Sequence, residues 1–217
     1  AFFPSLLLPL SASKFIARFW TNSVYFLLSK ICNLTHNIEG KELVPEGPII
    51  IAAKHQSAWD TLIFPLELEY PTIILKRELF WLPFFGWYAR KYGAIGIKRN
   101  GGASTIRKLI RDARRPVLNG RSIVIFPEGT RTAPGQKGFY HSGVAALYKD
   151  LKIPVVPVAL NSGLFWPRRK LIRRSGIITL RFLTPIPPGL SRQELMARLE
   201  SEIENAQQEI CNLKYSQ

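Results

Sequence analysis

Pro48-Ile49-Ile50-Ile51-Ala52-Ala53-Lys54-His55-Gln56-Ser57-Ala58-Trp59-Asp60-Thr61-Leu62-Ile63-Phe64 is the stretch that decides the fold. Residues 48–53 form an apolar, β-branched run of strand length, without the alternation of a half-exposed strand, so they read as a strand buried on both faces. The run breaks at a polar cluster and resumes with helical spacing. The same alternation continues outward. Strands are expected near 36–39, 48–53, 72–76, 94–98, 121–126, 154–160 and 177–183, and helices near 58–68, 78–91, 102–118, 139–150 and 191–213. Ser191 followed by Glu194 is a capping box that starts the last helix. The pattern predicts an α/β fold: a mixed, mostly parallel central sheet flanked by helices. Gly101-Gly102 and Pro187-Pro188 read as turns inside one domain. A chain of 217 residues, 47% hydrophobic, is long enough and apolar enough for one full core.

The polar cluster carries chemistry. His55 stands at a strand end, and Asp60 lies five residues on, in the first turn of the next helix. At that spacing the carboxylate can accept a hydrogen bond from the imidazole, fix its tautomer and stabilise its protonated form, which makes the histidine a usable general base. The competing reading is a surface histidine beside a helix-capping aspartate. Ser57, inside the cluster, reads as a turn residue. A second strand, Ser122-Ile123-Val124-Ile125-Phe126, breaks into Pro127-Glu128-Gly129-Thr130-Arg131-Thr132. Pro and Gly impose a turn, and Glu, Thr and Arg ride on it. Ligand sites of open α/β sheets lie at such strand ends, so the two clusters are expected to share one site.

Four blocks in this order resemble the glycerolipid acyltransferase family, and within it the bacterial 1-acyl-glycerol-3-phosphate acyltransferases. They are His55 to Asp60; Lys76-Arg77-Glu78-Leu79 through Pro83-Phe84-Phe85-Gly86 to Lys98-Arg99; Phe126 to Arg131; and Ile153 to Ala159. The resemblance runs from about residue 39 to about residue 185. One departure is Lys54, where the family often has Asn before the histidine. The resemblance implies transfer of a fatty acyl group from a thioester, acyl-CoA or acyl carrier protein, to the sn-2 hydroxyl of lysophosphatidic acid, giving phosphatidic acid. It makes His55 and Asp60 the catalytic pair. Arg131 is the first choice for the acceptor phosphate, with Thr130, the Gly129 turn, Lys76 and Arg99 as further binding residues. Glu128 either binds the glycerol hydroxyls or holds Arg131 in place. No Gly-x-Ser-x-Gly elbow is present, so a covalent acyl-enzyme is not required. No cofactor is implied beyond the donor, and no metal: His36 and His141 stand apart from His55 without ligand spacing. Within the family, glycerol-3-phosphate or a lyso-ornithine lipid are alternative acceptors.

The formal charge is +15. Nucleic acid, an anionic membrane and acidic substrates or carrier proteins are the partners such a charge allows. No nucleic-acid-binding motif is present, and the basic residues cluster beside apolar and aromatic ones, so a membrane surface is expected and nucleic acid is not. One cluster is Arg107, Lys108, Arg111, Arg114, Arg115 and Arg121; another is Arg168, Arg169, Lys170, Arg173 and Arg174, beside Leu164-Phe165-Trp166-Pro167. A basic, aromatic-rich helix is expected from Ser11 or Ser13 to about Cys32. Its pattern suits a membrane interface, and a helix packed on the protein's own core is the alternative. Residues 1–33 are thus expected to be a membrane-associating segment and 34–217 the acyltransferase domain. The expected location is the cytosolic face of the inner membrane, as a monotopic protein or one anchored by an upstream segment. The chain opens on Ala, and its first apolar run, Phe2 to Leu10, is short and interrupted by two prolines. The aromatic stretch Leu79 to Tyr88 is read either as core or as lining for an acyl chain or the bilayer. Cys32 and Cys211 form no disulfide framework, which suits a reducing compartment.

Overall fold

The computed structural model describes residues 10–98 and 101–215. Arg99 and the apolar run from Phe2 to Pro9 lie outside the described residues, as do the side chains of Ser11 and Ser13. The element order is α1 (Leu10–Cys32), β1 (Leu34–Glu39), β2 (Ile50–Ala53), α2 (Trp59–Glu67), β3 (Thr72–Lys76), α3 (Phe85–Lys91), β4 (Ile95–Ile97), α4 (Gly102–Leu118), β5 (Ile123–Ile125), α5 (Gly143–Leu151), β6 (Val155–Leu160), β7 (Gly176–Phe182) and α6 (Arg192–Tyr215). The strands form one sheet in the order β1-β7-β6-β2-β5-β3-β4. All neighbours are parallel except β6 and β7, so β1 and β7 run against the other five.

β2 sits at the centre, between β5 and β6, and every one of its residues is buried. Its alternation sorts the core into two layers. Ile49, Ile51 and Ala53 face one layer with Tyr25 of α1, Trp59, Ile63 and Phe64 of α2, and Phe165. Ile50 and Ala52 face the other, with Leu109 and Ala113 of α4, Val144 and Leu147 of α5, and Leu195, Leu199 and Ile203 of α6. α1 and α4 therefore lie on opposite sides of the sheet.

Pro157 is tolerated inside a fully buried strand because of where its missing N–H would point. The Val155 N–H bonds Ile186 O, so the N–H two residues on would face the same neighbour. At that point the β6–β7 ladder is interrupted, between the Val158–Phe182 pair and the Val155–Ile186 bridge. The capping box forms as the sequence implies. The Ser191 N–H donates to Glu194 Oε2 at 2.9 Å, and the Glu194 N–H to Ser191 Oγ at 3.2 Å. Hydrogen bonds from the Ser191 hydroxyl and then from its backbone N–H hold the Glu194 carboxyl below its ordinary value.

Two helix expectations need correction. The helix expected over 78–91 is split into a 3-10 turn, Arg77–Trp81, and α3. Pro83 is the cause: it drives Leu82 to an extended backbone (ψ 125°) and cannot donate into a helix. The helix expected from 139 begins only at Gly143, because the His141 N–H is committed to Pro127 O at the end of the β5 turn.

Candidate active site

The C-terminal ends of the parallel strands converge. β2 leads into His55, β3 ends on Lys76, β5 leads into Phe126 and Glu128, and β6 leads into Ser162. His55 Nδ1 lies 2.9 Å from Asp60 Oδ2. The same oxygen accepts the backbone N–H groups of Gln56 at 2.7 Å and Ser57 at 2.8 Å, and Oδ1 accepts the Ser162 hydroxyl at 2.5 Å. The Asp60 side chain is fully buried and acts only as an acceptor, so the His55 proton belongs on Nδ1. Nε2 is then left with a lone pair. Phe126 stacks on the imidazole, with ring centroids 4.2 Å apart, and fixes the ring plane. Ser57 is fully buried, and its hydroxyl accepts the Trp59 N–H at 3.2 Å, a turn contact that leaves it no access to a substrate.

Lys54 and Glu128 carry the principal surprise. The Lys54 side chain is fully buried. Its Nζ donates to Glu128 Oε1 at 2.8 Å, to Glu204 Oε1 of α6 at 2.6 Å and to Gln136 O at 3.1 Å. Glu128 Oε1 also accepts from Thr132 Oγ1 at 3.0 Å and the Gly138 N–H at 3.1 Å, while Oε2 accepts the His55 backbone N–H at 3.1 Å. Tyr140 donates to Glu204 at 3.0 Å. Burial, then the Glu204 and Glu128 charges, push this phenol far above its ordinary value, so it remains a donor. Glu128 therefore spends both oxygens on protein groups and holds no contact with the Arg131 guanidinium. It ties the histidine's own backbone to the β5 turn and, through Lys54, to the last helix. Thr132 completes the tie by donating its N–H to His55 O at 2.9 Å.

A cavity of about 310 Å³ opens on His55. Lys76, Lys98 and Gly129 line it together with apolar side chains that include Ile74, Leu79, Ile106, Leu109 and Phe126. The cavity thus sets a base and two cations in a largely apolar hollow, whose other polar lining is Thr61, Thr105, His141 and Ser142. Of the residues singled out in the sequence, His55, Lys76 and Gly129 meet there, and so does His141, which the sequence sets apart from His55. Glu128, Thr130 and Arg131 do not line the cavity. Arg131 follows Gly129 by two residues on the same turn, and its carbonyl accepts from Arg168 at 3.2 Å. Arg121, grouped in the sequence with the basic residues of α4, has a different task. It donates to the carbonyls of Tyr70, Pro71 and Tyr92 and stacks 3.7 Å over the Tyr70 ring. Beside it, burial pushes the Tyr92 phenol up to about 12.

Sequence reasoning missed Ser162, Glu204 and Tyr140. Ser162 carried a weak signal, since it follows the end of a buried strand. Glu204 lies 150 residues from Lys54 and carried none.

Comparisons with known proteins bear on the family and the fold. The "Acyltransferase" family model matches residues 35–161. A 1-acyl-sn-glycerol-3-phosphate acyltransferase of Pseudomonas aeruginosa is 33% identical over 179 residues, which are 82% of this chain and 70% of that protein. A protein of the same name from Saccharomyces cerevisiae is 30% identical over 84% of this chain, and the match spans 62% of its own length. The crystal structure of the 1-acyl-sn-glycerophosphate acyltransferase PlsC from Thermotoga maritima shares the fold, with a TM-score of 0.73 and 22% identity, over 93% of this chain and 80% of that one. With its family model matched over more than half of its length and a relative one-third identical across most of it, this chain belongs to the acyltransferase family.

Proposed function

We propose that the chain transfers a fatty acyl group from acyl-CoA or acyl carrier protein to the sn-2 hydroxyl of 1-acyl-glycerol-3-phosphate, giving phosphatidic acid. The observation that carries this reading is the cavity. It offers a histidine oriented by a buried carboxylate, cations for a phosphate, and apolar walls for acyl chains. The names of the relatives support the acceptor. In the mechanism, His55 Nε2 takes the hydroxyl proton as the oxygen attacks the thioester carbon. The new C–O bond replaces the C–S bond, and the imidazolium returns its proton to the departing thiolate. Asp60 orients the ring and offsets its positive charge while the proton is held. Ser162 and the two backbone N–H groups keep that carboxylate in place. The cycle needs no group beyond the two substrates.

The acceptor phosphate is assigned to Lys76, inside the cavity, and to Arg131, whose planar fork suits a phosphate. Lys76→Ala and Arg131→Ala are each expected to lower kcat/KM for lysophosphatidate by roughly 30-fold, the equivalent of about 2 kcal/mol for one charge-assisted contact. The loss should fall on the acceptor KM, and activity toward a lyso-ornithine acceptor without a phosphate should change little. Steady-state kinetics with both acceptors measures this. An equal loss on both acceptors, or a rise only in the donor KM, would remove these residues from the phosphate.

We also place the protein on the cytosolic face of the membrane. No helix among the described residues is long and apolar enough to cross a bilayer. The inner face of α1 packs on the core through Thr21 and Tyr25, and Tyr25 meets Trp59 edge-on at 5.7 Å. Its outer face exposes Phe15, Phe19, Phe26, Leu27 and Ile31, the last 77% exposed. The core reading of this helix describes its inner face, and the membrane reading is proposed for its outer one. The loop after β6 stands on the same layer of the core through Phe165 and Trp166, and carries exposed Leu171 and Ile172 among its basic residues. From the 3-10 turn, Leu79 and Phe80 pack inward while Trp81, Leu82 and Phe84 are exposed. Burying each large apolar side chain is worth ~1.5–3 kcal/mol, against ~1 kcal/mol per basic residue near an anionic surface. Insertion therefore dominates, and salt does not screen it. Phe15→Ser with Phe19→Ser and Phe26→Ser is expected to abolish sedimentation with neutral liposomes at high salt and to leave the melting temperature within a few degrees. Undiminished binding by that triple variant would remove α1 from the membrane. Deleting α1 is a poorer test, because it also uncovers Trp59.

A further inference from the structure

We propose that the outer face of α4 is the docking surface for an acidic carrier protein that brings the acyl thioester to the cavity. The inference rests on the acyl-transfer reading and commits its donor.

Three observations meet on this helix. The first is its charge. Arg107, Lys108, Arg111, Arg114 and Arg115 are all exposed, and Asp112 is the helix's single acidic residue. Lys108 and Arg111 share Asp112, and Arg114 holds Asp150 through two hydrogen bonds of 3.0 and 2.7 Å. Among the described residues, Arg107 and Arg115 have no carboxylate partner. Arg107, Arg111 and Arg115 repeat every fourth residue and form one ridge.

The second observation is position. Gly102, Thr105, Ile106 and Leu109 of α4 line the cavity that holds His55, so Arg107, the first residue of the ridge, stands on the same turns of helix that wall the cavity. A thioester arm rooted on a partner seated there has a short path to the base.

The third observation separates this helix from the bilayer. Leu109 and Ala113 pack into the core layer of α5 and α6. The exposed aromatic face of α1 and the Leu171–Ile172 loop belong to the other layer. When that face lies on the membrane, α4 is turned toward water across the sheet. The two basic clusters of the sequence therefore lie on different layers: the cluster at 168–174 shares the layer of α1, and the cluster on α4 does not.

The shape of the patch selects the partner. From Arg107 to Arg115 the ridge runs ~12 Å along the helix axis at 1.5 Å per residue. It is convex and fully open, whereas a nucleotide's phosphates are gripped in a concave site with backbone donors. A long, convex cationic ridge complements an acidic protein surface, and such complementarity acts on encounter and orientation.

The test compares the full chain with the variant Arg107→Glu, Arg111→Glu, Arg115→Glu, using one acyl chain on acyl carrier protein and on CoA. Fluorescence anisotropy of labelled holo acyl carrier protein gives binding independently of turnover. The charge reversal should weaken carrier-protein binding and raise the KM for its thioester by at least about tenfold, while KM and kcat with acyl-CoA stay within about twofold. Lysine at the same three positions should retain most of the binding. An equal rise in the KM for acyl-CoA would make the ridge a small-anion site and overturn the proposal. Unchanged carrier binding, with weaker adsorption to anionic vesicles, would return α4 to the membrane and also overturn it. If the parent transfers from neither donor, the acyl-transfer reading fails, and the anisotropy still decides the docking surface.

Discussion

His55→Ala is expected to lower kcat by about 10³-fold or more with the fold intact, since a positioned general base contributes about 10²–10⁴-fold. The imidazole is partly exposed toward the cavity, and Phe126 stacks on it, so its removal leaves a small hollow beside an open space. Asp60→Asn is expected to cost at least about a hundredfold, because an amide in that place can turn its N–H₂ toward the ring and reverse the tautomer. The two variants should not multiply when combined, because the carboxylate acts only through the ring. Circular dichroism and turnover on the same preparations decide the matter. Near-normal turnover in either folded variant would remove the pair from the chemistry.

Lys54→Met should act on stability as well as on turnover. It strips the shared cation from Glu128 and Glu204, which lie 2.8 and 2.6 Å from its Nζ. Breaking a buried pair on one side costs about 3–5 kcal/mol, because a carboxylate is left buried and uncompensated. For a domain of this size that lowers the melting temperature by about 10 °C. Glu204→Gln in the same chain should restore part of the loss, since it removes one of the two stranded charges. Turnover should fall further than stability alone explains, because Glu128 Oε2 also holds the His55 backbone N–H. Thermal melts of parent, single and double variants measure both arms. A Lys54→Met protein as stable as the parent would mean that the triad contributes nothing net to the fold.

The sheet was legible because its strands are nearly continuous apolar runs. Ile49-Ile50-Ile51 and Val155-Val156 announce burial on both faces, and all seven expected strands are present. The His55–Asp60 contact was legible because both residues belong to one strand-to-helix turn, where spacing alone limits the distance. The contacts that were not legible join distant parts of the chain. Nothing local to Lys54 points to Glu204, and Glu128 looks as free to face a ligand as to face the core. Arg121 shows the same limit. Its sequence neighbours are the exposed arginines of α4, and only the fold reveals that three carbonyls claim it. Pro83 marks the break between the 3-10 turn and α3, but the apolar stretch around it carries a single helical reading across 78–91. The two-layer core that separates α1 from α4 depends on strand order, which pattern alone does not determine.

Product analysis tests the central claim most directly. The purified chain is mixed with an isotope-labelled acyl thioester and lysophosphatidate, and the lipids are resolved by mass spectrometry. The account predicts phosphatidate carrying the label at position 2, one thiol released per product, and no product from the acceptor analogue that lacks the sn-2 hydroxyl. Label transferred only to another acceptor, or thiol released with no lipid product, would contradict it.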